Sequence, residues 1–451
     1  MSNFLGNNAG NSIFASDRTD LILGFLGNDT IFGLDGDDFI FGDRLGEPAS
    51  LNGLSDVDSI RGGLGSDTVV GGAGTDYLFG GNGDDLIYGD YLGGSIRFFG
   101  NDRLYGDAGD DTLYGGSGND ILNGGVGDDS LFGDDGDDRI TGSNGNDTIF
   151  GGRGNDTIDG GRGDDRIEAS AQNDVVRDLY GDNYVSARLG EVTTGDGDDT
   201  IFGRVVDAGD GENRVTARDD GEFFKTGSGA DRISVRFDDT LRIFSGSGND
   251  SIGVYLDLDS DKTAGSTVFR TDLVRIYGQG GDDSIYMATT GFLDGGAGND
   301  TVIGAGVVHG GDGDDSITLL SLGRVSGFYQ PLYKKSGVAT GGAGDDTLVS
   351  NGVGGRFYGN QGSDTFDFIM RNSIEDAGVI MDFEHGLDLI QIDEIGTPAS
   401  VFAELDIIQI GQDVLIQLDE RTVTIARNQV ASDFDASDFV VLEDPLAWVY
   451  Y

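Results

Sequence analysis

The sequence predicts an all-β fold, a stack of very short strands joined by tight turns. Three observations predict it. Glycine makes up 81 of 451 residues, where roughly 7% is usual. A nine-residue unit recurs in uninterrupted register from Gly106 to Glu168. One aliphatic residue stands at the eighth position of each unit, flanked by more variable residues, which suits a short strand with one side chain inward.

The unbroken run reads GDAGDDTLY, GGSGNDILN, GGVGDDSLF, GDDGDDRIT, GSNGNDTIF, GGRGNDTID and GGRGDDRIE. The same unit starts at Gly24, Gly33, Gly62, Gly71 and Gly80. Degenerate copies at 53–61 and 97–105 keep Asp58 with Ile60 and Asp102 with Leu104. Residues 6–14 and 15–23 stay in register through Ile13 and Ile22, and form a degenerate N-terminal cap over 1–23. Two insertions, 42–52 and 89–96, are expected to bulge as surface loops. Glycines at the first, second and fourth positions permit backbone angles closed to other residues, so carbonyls can converge in the turn. The sixth position is Asp in every full copy of this half: Asp29, Asp38, Asp67, Asp76, Asp85, Asp111, Asp120, Asp129, Asp138, Asp147, Asp156 and Asp165. Carboxylates with carbonyls are hard oxygen ligands, and a flexible cage of them suits Ca²⁺ better than Mg²⁺.

This unit resembles the calcium-binding nonapeptide of the RTX (repeats-in-toxin, hemolysin-type) family. The resemblance runs from about Gly6 to Asp367. It implies a parallel β-roll, an RTX solenoid with two nonapeptides per turn and calcium between the loops of successive turns. The regular roll is expected over 24–168.

After Glu168 the register is expected to break, with 169–193 as an irregular turn or insertion. Copies then begin at 194, 208, 226, 245, 278, 295, 310, 341 and 359, mostly one whole turn apart. The expectation for 194–367 is a second roll with calcium loops mainly on one side. Its sixth-position acids are Asp199, Asp231, Asp250, Asp283, Asp300, Asp315, Asp346 and Asp364, while the copy at 208–216 carries Asn213. FFK at 223–225, LRIF at 241–244, GFL at 291–293 and RFY at 356–358 supply strands and larger apolar side chains where metal no longer holds the turn. Excursions at 254–272 and 319–340 would project from the calcium-free side. The second carries Tyr329, Tyr333, Lys334 and Lys335, an aromatic-basic patch or a solvated loop.

From Gly362 the text changes. GSDTF, Ile380-Met-Asp-Phe383 and Gly386-Leu-Asp-Leu-Ile-Gln-Ile392 resemble the segment after the repeats in serralysin-type metalloproteases and other RTX exoproteins. Alternation over 405–426 reads as a hairpin of strands. SDFDASDFVVL at 432–442 resembles an uncleaved type I secretion signal, although EDPLAWVYY follows it. Residues 368–451 are therefore expected to cap an otherwise open strand edge and to carry that signal.

The charge fits this reading. With 28 Lys+Arg against 81 Asp+Glu, the net charge is −53. Nucleic-acid binding through phosphates is excluded. No cysteine is present, so disulfides and thiolate metal sites are excluded. A hydrophobic content of 37%, with 26 Phe and 15 Tyr, supplies a core once an external cation neutralises the acids. The N-terminus lacks a signal-peptide pattern, and no apolar run is long enough for a transmembrane helix. Alone these suggest a cytoplasmic protein. With the RTX resemblance they fit a Gram-negative protein exported unfolded by an ABC-type exporter and folding on extracellular Ca²⁺.

Catalytic constellations are missing. HExxH, G-x-S-x-G and phosphate-loop motifs do not occur, and His309 and His385 are 76 residues apart. The expectation is a non-enzymatic, secreted structural protein of a surface layer, matrix or adhesive coat, able to self-associate. The alternatives are a polysaccharide-binding module, for which Arg153, Arg162 and Arg166 are a thin basic supply, an ice-binding solenoid without the needed Thr/Asn ladder, and an unrecognised enzyme acting on extracellular polymers.

Overall fold

The computed structural model describes residues 2–43, 56–90, 100–171, 173–217, 222–237, 240–256, 274–320, 337–351, 354–368, 378–392, 405–418 and 421–441. The chain divides into two units, Met1–Ala217 and Arg218–Tyr451.

Over most of the first unit a strand pairs in parallel with the strands two before and two after it, while from Val175 to Ala217 consecutive strands also pair. Thr112–Ser117 pairs with Ser130–Asp135, placing Leu113 opposite Leu131. Arg103–Ala108 pairs with Ile121–Val126, placing Leu104 opposite Leu122. One turn is therefore 18 residues, two nonapeptides, and the fold is a parallel β-roll. The eighth-position side chains fill the space between the two sheets. Ile31, Ile60, Leu78, Leu104, Leu122, Ile140 and Ile158 form one inward column, and Ile40, Val69, Ile87, Leu113, Leu131, Ile149 and Ile167 the other, all at most 1% exposed. Each contributes about 1.5–3 kcal/mol by burial. One such side chain per nine residues is a thin core.

The insertions do not disturb the stack. Phe39–Phe41 pairs directly with Thr68–Gly72, and Leu86–Asp90 with Thr112–Ser117. Most of both insertions, at 44–52 and 91–96, lies outside the described residues.

The expected irregular break at 169–193 is corrected by the structure. Val175–Tyr180 pairs in register with Thr157–Arg162, and Tyr184–Asp196 with Arg166–Glu168. The period of nine continues through 169–177 and 178–186, although most of the glycines are lost. Asp174 and Asn183 hold the sixth position, and Val176 and Val185 the eighth, all buried.

The second unit is also a parallel roll. Arg232–Phe237, Ser251–Leu256 and Ser284–Ala297 pair successively, as do Ser316–Leu320, Thr347–Asn351 and Thr365–Phe368. Ser251 faces Ser284 and Ser316 faces Thr347, so the long intervals there are single turns carrying excursions. Their bodies, 257–272 and 321–336 with Tyr329, Tyr333, Lys334 and Lys335, lie outside the described residues. On the side opposite the acidic turns, the inward position two past the eighth residue carries Val235, Val254, Met287, Leu319 and Phe368, at most 3% exposed, with Gly304 and Ser350 as the exceptions. Beyond the last repeat, Leu405–Ile410, Asp413–Leu418 and Arg421–Ala426 form an antiparallel meander. Its third strand pairs in parallel with Gly378–Ile380, and Phe439–Val441 pairs with Leu389–Ile392. Both sheets thus gain a covering strand at this end. The segment 443–451 lies outside the described residues.

Candidate metal centres in the acidic turns

The sixth-position aspartates line up in columns. In the first unit one column is Asp38, Asp67, Asp85, Asp111, Asp129, Asp147, Asp165, Asn183 and Asp199. In each adjacent pair the earlier residue's backbone N–H donates to Oδ1 of the later one at 2.7–2.9 Å. The other column is Asp29, Asp58, Asp76, Asp102, Asp120, Asp138, Asp156 and Asp174, bonded the same way. The second unit has a single column: Asp231, Asp250, Asp283, Asp300, Asp315, Asp346, Asp364 and Asp388. Every sequence-predicted aspartate therefore takes a column position, at most 2% exposed.

The second oxygen decides the chemistry. Oδ2 is buried without a hydrogen-bond partner in, for example, Asp29, Asp76, Asp111, Asp129, Asp147, Asp250, Asp283 and Asp346. A buried carboxylate oxygen with no donor is costly. Two turns show what surrounds it. Asn213 holds the sixth position of its turn, and its Nδ2 donates to the carbonyls of Gly209 and Gly211 at 3.3 and 3.2 Å. Asn11 does the same toward Asn7 and Ala9. The second- and fourth-position carbonyls thus point at the end of the sixth side chain. With an amide there, donors meet acceptors. With a carboxylate there, three acceptors face one another, an arrangement that suits a hard cation.

Proton affinities report the same conflict. Burial pushes Asp58, Asp76, Asp85, Asp102 and Asp138 up to about 8. It pushes Asp67, Asp111, Asp129, Asp283, Asp300 and Asp346 up to about 7. Neighbouring column carboxylates add to the rise, and the N–H from the adjacent turn only partly counters it.

The glycines leave room for this geometry. A methyl on the first-position Gly106 would lie 2.2 Å from Oδ2 of Asp111. The fourth-position Gly118 has φ +140°, and a methyl there would lie 1.4 Å from the Gly100 carbonyl.

Some aspartates are satisfied from within their own turn. Oδ2 of Asp20 accepts from Ser16, of Asp174 from Ala171, of Asp388 from Glu384 and of Asp438 from Asp435, all from backbone N–H groups. These turns lack the first- and second-position glycine pair. Asp174 and Asp388 were not among the predicted ligands; the unbroken spacing of nine around Asp174 was the available signal. Sequence reasoning also missed an exposed ladder at the fifth position. There Asp110 accepts from the Asp128 N–H, Asp128 from Asn146, and Asn146 from Asp164.

Among the described residues no three His, Asp or Glu side chains converge as a metal cluster. The donors available in a turn are therefore one carboxylate with several carbonyls, an all-oxygen set that fits calcium. His385 lies within an aromatic group of Phe383 and Phe434, its Nδ1 3.4 Å from Oδ2 of Asp438. His309 lies beside Phe292, the rings tilted by 39° with centroids 5.3 Å apart. Among the described residues no helix is long and apolar enough to cross a membrane.

A parallel roll with stacked aspartate–glycine turns defines a calcium-binding repeat protein. The RTX calcium-binding nonapeptide repeat, described in four-copy units, matches residues 5–44, 52–90, 98–131, 132–167, 159–191, 292–306 and 338–352. The repeats of this roll are thus RTX calcium-binding repeats, whose β-roll is a calcium-binding, non-catalytic type of fold. The match extends over 169–191, the stretch that looked irregular, and ends before the flank likened to serralysin-type proteins. No curated protein matches the chain.

Proposed function

We propose that this is a calcium-folded structural protein of a Gram-negative cell surface or extracellular matrix, exported unfolded through an ABC-type, type I exporter. The observation that carries the reading is the column of buried Oδ2 atoms facing carbonyls. Such a stack repels itself until cations enter, so calcium binding free energy acts as folding free energy and stability rises with calcium by mass action. A chain of this kind stays open where calcium is scarce and folds at the millimolar levels outside the cell, the affinity range of extracellular modules. The outward sheet faces of each roll support lateral self-association.

Negative-stain microscopy of the purified chain, with Ca²⁺ and with EGTA, tests the role. Calcium-dependent filaments or lattices are expected. Dispersed particles in both conditions overturn the structural reading. Far-UV circular dichroism tests the folding step, and a spectrum indifferent to EGTA overturns it.

One observation favours a second reading, polysaccharide binding. Tyr88, Tyr114, Phe132 and Phe150 stack along one outer face at 4.7–5.1 Å between centroids. Retardation of the chain in gels containing an acidic polysaccharide, lost on substituting Tyr114, would support it.

A further inference from the structure

The arginines of the second unit are scattered in the sequence, but stacking brings two of them side by side. Leu241–Phe244 pairs in parallel with Val274–Gly280 so that Arg242 lies directly opposite Arg275. Both side chains stand on the outer face of the sheet and are exposed, on strands about 4.8 Å apart. Like charges opposite each other on adjacent strands repel. With 81 acids in the chain against 28 Lys+Arg, a carboxylate beside each would be the ordinary remedy. Among the described residues no carboxylate forms an ion pair with either. Asp294, diagonal to Arg275, lies opposite Tyr277 and His309 instead.

The same face carries aromatic rings. Phe244 and Tyr277, two residues past the arginines, stack with centroids 4.9 Å apart and planes within 4°. Phe292 lies opposite Arg275, its ring 5.6 Å from that of Tyr277. Two guanidinium groups thus stand beside a half-buried aromatic surface. The row continues through Val307 and Val338 to Arg356, which is exposed and also lacks an ion pair among the described residues. There Arg356 and Arg427 line a cavity of about 560 Å³ together with Val379 and Met381. The opposite sheet of this unit has another surface, where Ser251, Ser284, Thr301, Ser316 and Thr347 follow one another strand by strand.

We propose that the arginine-bearing sheet face of the second unit binds an extended polysaccharide that carries carboxylates. Arg242 and Arg275 grip its acid groups, and Phe244, Tyr277 and Phe292 contact its sugar rings. The proposal rests on the polysaccharide reading and gives it a charged site apart from the Tyr114 ladder. Charge complementarity selects the partner. A carboxylate set between two guanidinium groups accepts paired N–H donors and relieves their repulsion. The apolar C–H surface of sugar rings packs on the aromatic side chains. A nucleic-acid duplex, with one charge per about 1.7 Å, would meet the repulsive field of the rest of the chain. The acidic edge of a second copy is already neutralised by its own calcium.

Retardation of the calcium-loaded full chain in native gels containing hyaluronan, with dextran as the uncharged comparison, tests this. The parent is expected to be retarded by hyaluronan and not by dextran. R242Q/R275Q is expected to bind hyaluronan at least about tenfold more weakly, since two charge-assisted contacts are lost. The same variant should melt no lower than the parent, because the repulsion between the two strands is gone. R275Q alone serves should the double variant fail to fold. R232Q/R236Q removes equal charge from the opposite sheet, where Arg232 faces Ser251, and should be retarded as the parent is. Unchanged retardation in R242Q/R275Q, or an equal loss in R232Q/R236Q, overturns the proposal. Retardation that survives in R242Q/R275Q but is lost on substituting Tyr114 overturns it while the polysaccharide reading stands. A parent retarded by neither polymer overturns both. A calcium-dependent dimer that R242Q/R275Q abolishes, without retardation of the parent, assigns the face to a second copy and overturns the proposal.

Discussion

The backbone N–H of Asp129 donates to Oδ1 of Asp147 at 2.8 Å, across 18 residues. This bond gives each aspartate two separate tasks. One oxygen ties its turn to the neighbouring turn of the same sheet. The other, Oδ2, faces the carbonyls of its own loop and awaits a cation. Substitutions at the sixth position should separate these tasks.

Asp129→Asn keeps the first task and replaces the second. Its amide can donate to the carbonyls of Gly125 and Gly127, as Asn213 does to Gly209 and Gly211. The variant should bind one calcium ion fewer yet fold at a lower calcium concentration than the parent. Asp129→Ala loses both tasks and leaves the Asp111 N–H without its acceptor, at a cost of about 1–3 kcal/mol. Dialysis and calcium-titrated circular dichroism read both effects. A higher calcium requirement for the Asn variant than for the Ala variant would contradict this account.

Acid should partly replace calcium. In EGTA the roll holds Asp76 and Asp138 near 8 and Asp111 and Asp129 near 7, mainly through burial, against an unfolded value of about 3.9. Raised carboxylate values mean that the folded chain binds more protons than the unfolded one. Stability is then greatest below the unfolded value and falls as pH rises from about 4 through 8. In EGTA the β spectrum and the thermal midpoint should therefore be higher at pH 5 than at pH 8. In calcium the trend should reverse, since metal and proton compete for the same oxygens. Thermal melts across that pH range, in both buffers, decide it. A midpoint that rises with pH in EGTA would contradict the assignment.

The regular roll was legible because its unit is local. The glycines, the sixth Asp and the eighth aliphatic residue all lie within nine residues. What sequence reading missed depends on contacts between turns. Val176 and Val185 sustain the stack through 169–186 after most of the glycines disappear, because strand pairing needs the inward side chain more than the loop composition. Asp174 was passed over for the same reason. The apolar side of the second unit was expected from FFK, LRIF, GFL and RFY. Those segments are strands that bury Phe224, Leu241, Ile243, Leu293 and Phe357, and they are joined by residues such as Val235, Met287 and Phe368, two positions past an eighth residue, which sequence reading did not single out. The Arg242–Arg275 pair belongs to different repeats and appears only once the turns are stacked.

Glycine replacements should differ sharply by position. Gly136 has φ +150°, and a methyl there would meet the Gly118 carbonyl at 1.5 Å. Gly136→Ala must push two turns apart, costing about 1–3 kcal/mol of backbone strain together with the ion of that turn. Gly411, in the C-terminal meander, has φ +68° and no atom within 4 Å of the added carbon. Gly411→Ala should cost only the left-handed conformation, about 1–2 kcal/mol, and leave calcium binding intact. Ion counts and melts on both variants check this, and equal ion loss in the two would refute it.

The side of the second roll opposite its acidic turns should be insensitive to metal. Met287 is fully buried there, where the first roll would carry a glycine against an aspartate. Its side chain fills the interior near Gly291, where an added methyl would lie 2.8 Å from the Met287 Cε. Met287→Ala should cost about 2–5 kcal/mol, the usual range for truncating a buried long aliphatic chain. Asp283 lies in the preceding acidic turn, at the far end of the same strand. Asp283→Asn should remove one ion and shift the calcium concentration needed for folding. Met287→Ala should lower the thermal midpoint at saturating calcium without changing the number of ions bound. The reason is physical: dispersion and burial hold one edge of this roll, and ion–oxygen bonds hold the other. Loss of an ion in Met287→Ala would show that the two edges are not independent.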